Sequence, residues 1–258
     1  MPAVVAALLD SPLALASLRR SLPRGYGPLR GCRTAAALAV VVESELVDAI
    51  VLGARARRTV DLADLRRRFP GVPVVLYGVV RSDEGRALLD LEAIGIRTIV
   101  VEGIDDPMVG ELVARSGFAT ARREALAGIP ATLRLTEPLQ RRAFDLLAGT
   151  IGKPLSATTL ARRLRVSREH LSRQFGAGGA PNLKRVANLL QVLAVKEFVS
   201  NPGYGAPAAA DRFGFASLSH LRTVVRRVVR LSVEGLAGAS QAELVKRFMA
   251  QGGRSRSR

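Results

Sequence analysis

Residues 156–175 read SATTLARRLRVSREHLSRQF and contain the most specific local pattern in the chain. Ser167 stands where an N-cap residue would open a helix, because a serine hydroxyl satisfies the free N–H groups of a first helical turn. Ala161 is small enough to let the preceding segment pack closely, and Leu171 and Phe175 share one helical face. We therefore predict helices at 156–164 and 167–175, arranged as a helix-turn-helix.

The same outline returns later in the chain. Ala209-Ala210, Phe213-Gly214-Phe215, Ser219-His220-Leu221 and Val225-Arg226-Arg227 follow the order of the first pattern. Both histidines of the chain, His170 and His220, occupy the same place in the two patterns. An internal repeat indicates a repeated structural unit, so we predict a second helix-turn-helix with helices at 207–213 and 217–229.

The sequence around these two units favours helices alone. Amphipathic spacing predicts further helices at 137–151, 183–200 and 240–249. Together they form an all-helical domain over residues 137–250. The basic, Ser/Gly-rich residues 251–258 are typical of a disordered tail.

The positive charge is concentrated in this part of the chain. Residues 1–150 contain 20 Lys and Arg against 17 Asp and Glu, whereas residues 151–258 contain 19 against 5. The second segment therefore carries +14 of the formal net charge of +17. Such a surface attracts phosphate backbones through counterion release, so we expect double-stranded DNA as a partner.

The helical half resembles the DNA-binding domain of the AraC/XylS family of transcription regulators. The first unit carries the resemblance through Leu160-Ala161 and Ser167-x-x-x-Leu171-Ser172-Arg173-x-Phe175. Val195-Lys196-Glu197-Phe198 is similar to the end of the family's long connecting helix, and Gly214-Phe215 to the pair that opens its second recognition helix. The chain departs from the family pattern at Ala209, Gln191, Leu221, Val225 and Arg230-Leu231-Ser232-Val233, the last standing where the family has Gly-x-Thr-Pro.

The resemblance implies roles by position. The base-facing side chains would be Glu169, Ser172, Arg173, Leu218, Ser219, Arg222 and Thr223. The phosphate contacts would be Arg168, Lys184, Arg226 and Arg227. Arg173 is suited to a bidentate pair with guanine, and Glu169 to accepting a hydrogen bond from cytosine. Each of these side chains, taken singly, is also what a solvated helix face would show.

The N-terminal half predicts a different architecture. Short aliphatic runs, typical of buried parallel strands, alternate with amphipathic segments. The predicted strands are 3–9, 48–52, 72–77 and 97–101, and residues 23–33 form only a weak strand. The predicted helices are 12–22, 34–46, 62–69, 83–94 and 107–116. This order indicates a doubly wound α/β sheet over residues 1–120, and the connector at 119–128 suggests a linker at 121–136.

This alternation resembles the receiver domain of response regulators, with the functional positions replaced. A working receiver needs an acidic pair, a phosphoryl-accepting Asp, a hydroxyl and a Lys at successive strand ends. This chain has Leu8 and Leu9, Gly53, Gly78 and Glu102 there. Phosphoryl transfer needs positioned carboxylates, a divalent ion and a cation, so we expect a phosphorylation-independent pseudo-receiver. Asp10 and Asp48 remain alternative carboxylates, with Asp10 read as a cap of the helix that begins at Ser11-Pro12.

Other chemistry finds little support in the residues. Cys32 is the only cysteine, and the two histidines have no usual set of partner ligands, so we expect no metal and no cofactor. No nucleotide-binding glycine motif or catalytic triad pattern stands out, and we expect no enzyme. The apolar run at 3–18 lacks a preceding basic residue and is read as a strand and helix rather than a signal peptide.

These observations predict a cytoplasmic, nucleoid-associated transcription regulator. We expect a homodimer formed through the N-terminal domain, with the uncharged helix at 34–46 as one candidate contact, and contact with the transcription machinery. Two alternatives stay open: an interaction protein with weak or nonspecific DNA binding, and a magnesium-dependent receiver that accepts a phosphoryl group.

Overall fold

The computed structural model describes residues 4–79, 84–150 and 155–251. These residues divide into two compact units: the first ends at Arg122 and includes Asn201–Gly203, and the second holds the others from Arg123 onward. In the described ranges no helix is long and apolar enough to cross a membrane. The predicted helix start at Asp83, the helix end at Ile151 and the tail after Gln251 lie outside the described residues.

The first unit contains a parallel sheet of five strands. The strands are β1 Val4–Leu8, β2 Leu29–Cys32, β3 Val47–Leu52, β4 Val74–Gly78 and β5 Thr98–Val101. Their order in the sheet is β2-β1-β3-β4-β5. This order is that of flavodoxin-like doubly wound sheets, and it confirms the predicted receiver-like fold.

Burial on both faces explains the aliphatic runs of the central strands. Every residue of β1, β3 and β4 is buried, as expected where helices cover both sides of a parallel sheet. Strand β2 is different, because its residues are exposed or half-buried at the edge of the sheet. It pairs with β1 along its whole length, from Val5 opposite Leu29 to Leu8 opposite Cys32, although the sequence predicted only a weak strand there.

Helices cover the sheet on both faces. The helices up to Ser116 are α1 Pro12–Ser21, α2 Ala35–Ser44, α3 Ala56–Thr59, α4 Leu62–Arg68, α5 Gly85–Ala93 and α6 Val109–Ser116. Alternate residues of the strands, such as Val5, Ala49 and Val75, pack with Leu18 of α1 and Val113 of α6 in one core cluster. Helix α2 lies against β1 and β2 and buries Leu38 and Val42.

The segment predicted as a connector is helical. Helix α7 spans Phe118–Leu126 and a short helix, α8, spans Ile129–Thr132. The reason is local composition, because residues 118–126 contain no Gly or Pro and are rich in the helix formers Ala, Arg, Glu and Leu. Most of the predicted connector is therefore helical, which the sequence analysis did not predict.

The second unit is built from helices, as predicted. Observed bounds differ from the predicted ones by a few residues at most where both are described, and α15 is a short additional helix. The helices after α8 are α9 Pro138–Ala148, α10 Ala157–Leu164, α11 Arg168–Phe175, α12 Leu183–Val199, α13 Ala206–Arg212, α14 Leu218–Val229, α15 Val233–Leu236 and α16 Gln241–Ala250. Helix α12 is the centre of this unit, since it packs against α9, α13, α14, α15 and α16.

Candidate nucleic-acid interface

The first helix-turn-helix consists of α10, a tight turn and α11. Helix α10 ends at Arg165 in the left-handed conformation (φ 58°), and the Val166 N–H donates to the Ala161 carbonyl at 3.1 Å. This 6→1 bond is the signature of a Schellman C-cap. The Ser167 hydroxyl then accepts from the His170 N–H at 3.1 Å and caps α11.

The second helix-turn-helix repeats these bonds between α13 and α14. Gly214 takes the left-handed conformation (φ 70°), and the Phe215 N–H donates to the Ala210 carbonyl at 2.9 Å. The Ser217 hydroxyl accepts from the His220 N–H at 3.0 Å. The sequence repeat is therefore also a structural repeat, in hydrogen bonds as well as in outline.

Counted from the left-handed residue to the capping serine, the second turn is one residue longer than the first, and the extra residue is Ala216. Its N–H donates to Nδ1 of His220 at 3.4 Å, and the His220 ring lies edge-on to Phe215 with centroids 5.7 Å apart. His220 therefore has a structural role in the turn. Among the described residues, no group of three or more His, Cys, Asp or Glu could hold a metal ion.

Helices α11 and α14 each have one buried and one exposed face. Leu171 and Phe175 are fully buried in the first, and Leu221 and Val225 in the second. Their spacing of four residues places each pair on a single helix face. The opposite faces are polar and open to solvent, which is the arrangement that a recognition helix needs to enter the major groove.

The residues with predicted base contacts lie on these exposed faces. Six of the seven are exposed and Leu218 is half-buried: Glu169, Ser172, Arg173, Leu218, Ser219, Arg222 and Thr223. Two of them already have partners within the chain. The Thr223 hydroxyl donates to the Ser219 carbonyl at 2.9 Å, and Arg222 Nη2 lies 3.9 Å from Glu234 Oε1.

Glu234 is held as a carboxylate beside Arg222. Hydrogen bonds from its own N–H and from Ser232 keep the pKa of Glu234 below its ordinary range. An exposed pair of this kind is weak, about 0–1 kcal/mol, because water screens it. Arg222 can therefore leave Glu234 for a nucleic-acid partner at small cost.

The residues with predicted phosphate contacts are all exposed: Arg168, Lys184, Arg226 and Arg227. Two of them share a location, because Arg168 and Lys184 line one cavity together with Ser172. Arg226 and Arg227 lie near the end of α14. The structure thus brings Arg168, Ser172 and Lys184 together across α11 and α12.

Two glutamines support the recognition helices through contacts that the sequence analysis did not predict. Gln140 is fully buried in α9, and its Nε2 donates to the carbonyls of Gln174 and Phe175, at 3.2 and 3.0 Å, where α11 ends. Its Oε1 accepts from the Glu137 N–H at 3.0 Å, completing a capping box. Gln191 of α12 donates to the Phe213 carbonyl at 2.8 Å, at the turn of the second helix-turn-helix. The capping-box spacing was the available signal for Gln140.

One departure from the AraC/XylS pattern is accommodated without loss of the local structure. Arg230 stands where the family has Gly, and it takes the left-handed conformation (φ 59°) at the end of α14. The Ser232 hydroxyl accepts from the Gly235 N–H at 3.1 Å and caps α15. A non-glycine residue in this conformation costs about 1–2 kcal/mol, so the chain keeps the turn at an energetic cost.

In the N-terminal unit, the five positions that align with the receiver's functional residues carry other side chains. Leu8 and Gly78 end β1 and β4, while Leu9, Gly53 and Glu102 directly follow β1, β3 and β5. The Glu102 carboxylate accepts from the Ser11 hydroxyl at 3.4 Å. These positions therefore have neither the acceptor Asp nor the Lys of a working receiver.

Asp10 takes a place that the sequence did not predict. Its carboxylate accepts from the N–H groups of Arg55 and Ala56, at 2.8 and 3.3 Å, beyond β3. A Cβ at Gly53 would lie 2.7 Å from Asp10 Cγ, so the carboxylate occupies the space next to that glycine. Ser11, and not Asp10, caps α1 by accepting from the Ala14 N–H at 3.0 Å. The reading of Asp10 as a cap of α1 was wrong.

The other candidate carboxylate, Asp48, is buried within β3 and accepts a hydrogen bond from the Tyr26 hydroxyl. Asp48 lies near the amino end of its strand, whereas at the carboxyl edge Tyr77 donates to Asp106 at 2.6 Å. Burial, reinforced by Asp106, raises the pKa of the Tyr77 phenol. These hydrogen bonds hold the loops together.

Comparison with known proteins gives fold-level similarity only. No protein-family profile matches this chain, and no curated protein matches it. The solved structures that overlap with it include the RcsB response regulator of Salmonella typhimurium, at 17% identity over 74% of this chain and 99% of that one, with a TM-score of 0.37. Full-length FixJ from B. japonicum overlaps at 14% identity over 89% and 98%, with a TM-score of 0.38. An RcsB–DNA complex overlaps at 14% identity over 73% and 97%, with a TM-score of 0.37. Similarity at this level establishes no function for this chain.

Proposed function

We propose that this protein is a sequence-specific DNA-binding transcription regulator of the AraC/XylS type that acts at the nucleoid. One observation carries the proposal: two helix-turn-helix units share the same turn and cap hydrogen bonds. Both present polar recognition faces, in the half of the chain that carries +14 of the net charge.

Binding would combine two kinds of contact. Arg168, Lys184, Arg226 and Arg227 would neutralise phosphates and set the register of the protein on the duplex, without selecting a sequence. Selection would come from α11 and α14 in successive major grooves. Arg173 is suited to guanine and Glu169 to cytosine, while Leu218 offers apolar contact to a thymine methyl group.

For the N-terminal unit, which contains the parallel sheet, we propose a phosphorylation-independent role in dimerisation or partner contact, with no enzymatic activity and no cofactor. Helix α2 supports this role, because Ala36, Ala37 and Ala39 are exposed and Val40 is 63% exposed. A dimer would place two DNA-binding units on an operator with two half-sites. Bound there, the protein would be positioned to contact the transcription machinery.

The test is selection of bound fragments from a random duplex library at about 150 mM salt, where the Debye length is ~8 Å and loose electrostatic binding is suppressed. We expect a recurrent motif with one or two major-groove blocks. A matched selection with the Arg173→Ala variant should lose information at one position of the motif while the remaining positions persist.

The competing function is an interaction protein that binds DNA weakly and without sequence preference. The +14 charge alone would produce such binding, and its affinity would fall steeply with salt. Base contacts instead leave a preference for the motif that persists at higher salt. Bound fragments without any motif would therefore contradict the proposed regulator and favour this second function.

A further inference from the structure

The helical unit, from Arg123 onward, contains a cavity whose apolar wall has no role in the proposed function. It lies among α9, α10, α11 and α12 and has a volume of about 520 Å³. Sites for small molecules usually measure roughly 300–1,000 Å³. The cavity is therefore large enough for a whole small molecule, more than a single phosphate contact requires.

The charge of the lining selects the sign of the ligand. Arg168 and Lys184 both line the cavity, and the described lining residues include no Asp or Glu. Asn188 adds an amide beside them. The side chains of these three residues form no hydrogen bond or ion pair with another described residue. They are available to bind an anion, because a carboxylate or phosphate accepts several charge-assisted hydrogen bonds from such groups.

The rest of the wall selects an apolar body. Leu147, Leu160 and Leu183 line the cavity, together with Leu155, Ala157 and Ala187. An apolar wall with a few convergent polar groups is the usual composition of a small-molecule site. A DNA phosphate would use the two cations and leave this apolar wall unoccupied.

We propose that this cavity binds a small amphipathic anion, an apolar carboxylate or phosphate monoester, with its charged group at Arg168 and Lys184. Its apolar body would lie against the leucines of α9, α10 and α12. Binding itself does not depend on the proposed function. One consequence does rest on that function: Arg168 and Ser172 belong to the recognition helix α11, so a bound ligand would occupy side chains needed for DNA.

The binding test uses 2-naphthoate as the probe and its neutral amide as the control. Because the chain contains no tryptophan, the fluorescence of the naphthalene ring can be followed without overlap from an indole. We expect 2-naphthoate to bind the full-length protein with one site and the amide to bind at least about tenfold more weakly, which corresponds to one charge-assisted contact.

Three variants locate the site. Lys184→Ala should weaken the probe by about tenfold for the same reason, whereas Lys246→Ala, an exposed lysine of α16, should leave its affinity unchanged. Ala187→Phe fills the cavity and should abolish binding, and an unchanged circular-dichroism melt would show that the fold persists. Absence of probe binding, equal affinity for the amide, or equal effects of Lys184→Ala and Lys246→Ala would overturn the proposal.

The consequence for DNA is measured separately, on the selected motif. Saturating 2-naphthoate should lower DNA affinity in the natural sequence and have no effect on Ala187→Phe. If 2-naphthoate binds but DNA affinity stays unchanged, the proposed competition between ligand and DNA is wrong, while the proposed ligand site stands. A protein that binds the probe but selects no DNA motif would contradict the proposed function alone.

Discussion

Three of the serines that cap helices in the helical unit, Ser167, Ser217 and Ser240, offer a matched test of which helices contact DNA, because their cap geometry is nearly identical. Ser167 accepts from the His170 N–H at 3.1 Å, Ser217 from the His220 N–H at 3.0 Å and Ser240 from the Glu243 N–H at 3.1 Å. Replacing a capping serine by alanine costs about 1 kcal/mol. In a unit of this size, that loss lowers the melting temperature by roughly 3–5 °C. All three Ser→Ala variants should therefore melt at similar temperatures.

DNA affinity should separate the three variants that stability does not. Loss of the cap frays the first turn of α11 or α14, where Glu169, Leu218 and Ser219 lie. If that turn must be ordered before it binds, Ser167→Ala and Ser217→Ala each weaken binding by about fivefold, the equivalent of ~1 kcal/mol. Ser240 caps α16, which has no predicted DNA contact, so Ser240→Ala should stay within about twofold.

The assay is fluorescence anisotropy on the selected motif, with circular dichroism at 222 nm for the melts. An equal loss of DNA affinity in all three variants would refute the reasoning, because it would trace to general destabilisation. Unchanged DNA affinity in Ser167→Ala and Ser217→Ala, with the melting temperature lowered, would show that the first turns of α11 and α14 do not contact the DNA.

Four further predictions concern single residues. Arg173→Ala should lose about 1–3 kcal/mol on the selected motif in a binding titration, and an equal loss on unrelated duplexes would reduce Arg173 to a phosphate contact. Gln140→Ala should lower the free energy of unfolding by about 1–3 kcal/mol in urea, because buried groups at the end of α11 lose their partner; an unchanged midpoint would contradict the cap. Gly53→Asp should incorporate no phosphoryl group from acetyl phosphate and should melt earlier, since its Cβ would meet Asp10 within 2.8 Å; phosphoryl incorporation would contradict this. If the protein forms the proposed dimer, Val40→Glu should shift its sedimentation from dimer to monomer, and an unchanged dimer would exclude the exposed face of α2 as the contact.

The recognition helices were predictable because their signals are local. Ser167 and Ser217 cap helices by bonding to N–H groups three residues away, and the buried pairs Leu171/Phe175 and Leu221/Val225 follow helical spacing. The same set of local signals also occurs twice, so each occurrence supports the helix-turn-helix prediction made from the other. Both helices consequently begin and end within a residue of where the sequence placed them.

Features that depend on distant partners were less predictable. The edge strand β2 reads LRGC and has no buried run, and only its pairing with β1 makes it a strand. The end of α11 is held by Gln140, more than thirty residues earlier. These contacts join residues that lie far apart in sequence, so the periodicity of neither segment could predict them.

The carboxyl edge of the sheet shows why the fold alone could not decide the function of the first unit. A doubly wound sheet places the residues after β1, β3 and β5 at one edge whatever their identity, so the edge forms with or without chemistry. Here the Asp10 carboxylate occupies the space beside Gly53. Its two oxygens accept hydrogen bonds from the N–H groups of Arg55 and Ala56. A carboxylate bonded in this way stabilises the loop after β3, and the glycine beside it offers no oxygen for a phosphoryl group. The proposal of a phosphorylation-independent unit therefore rests on these side chains and not on the strand order.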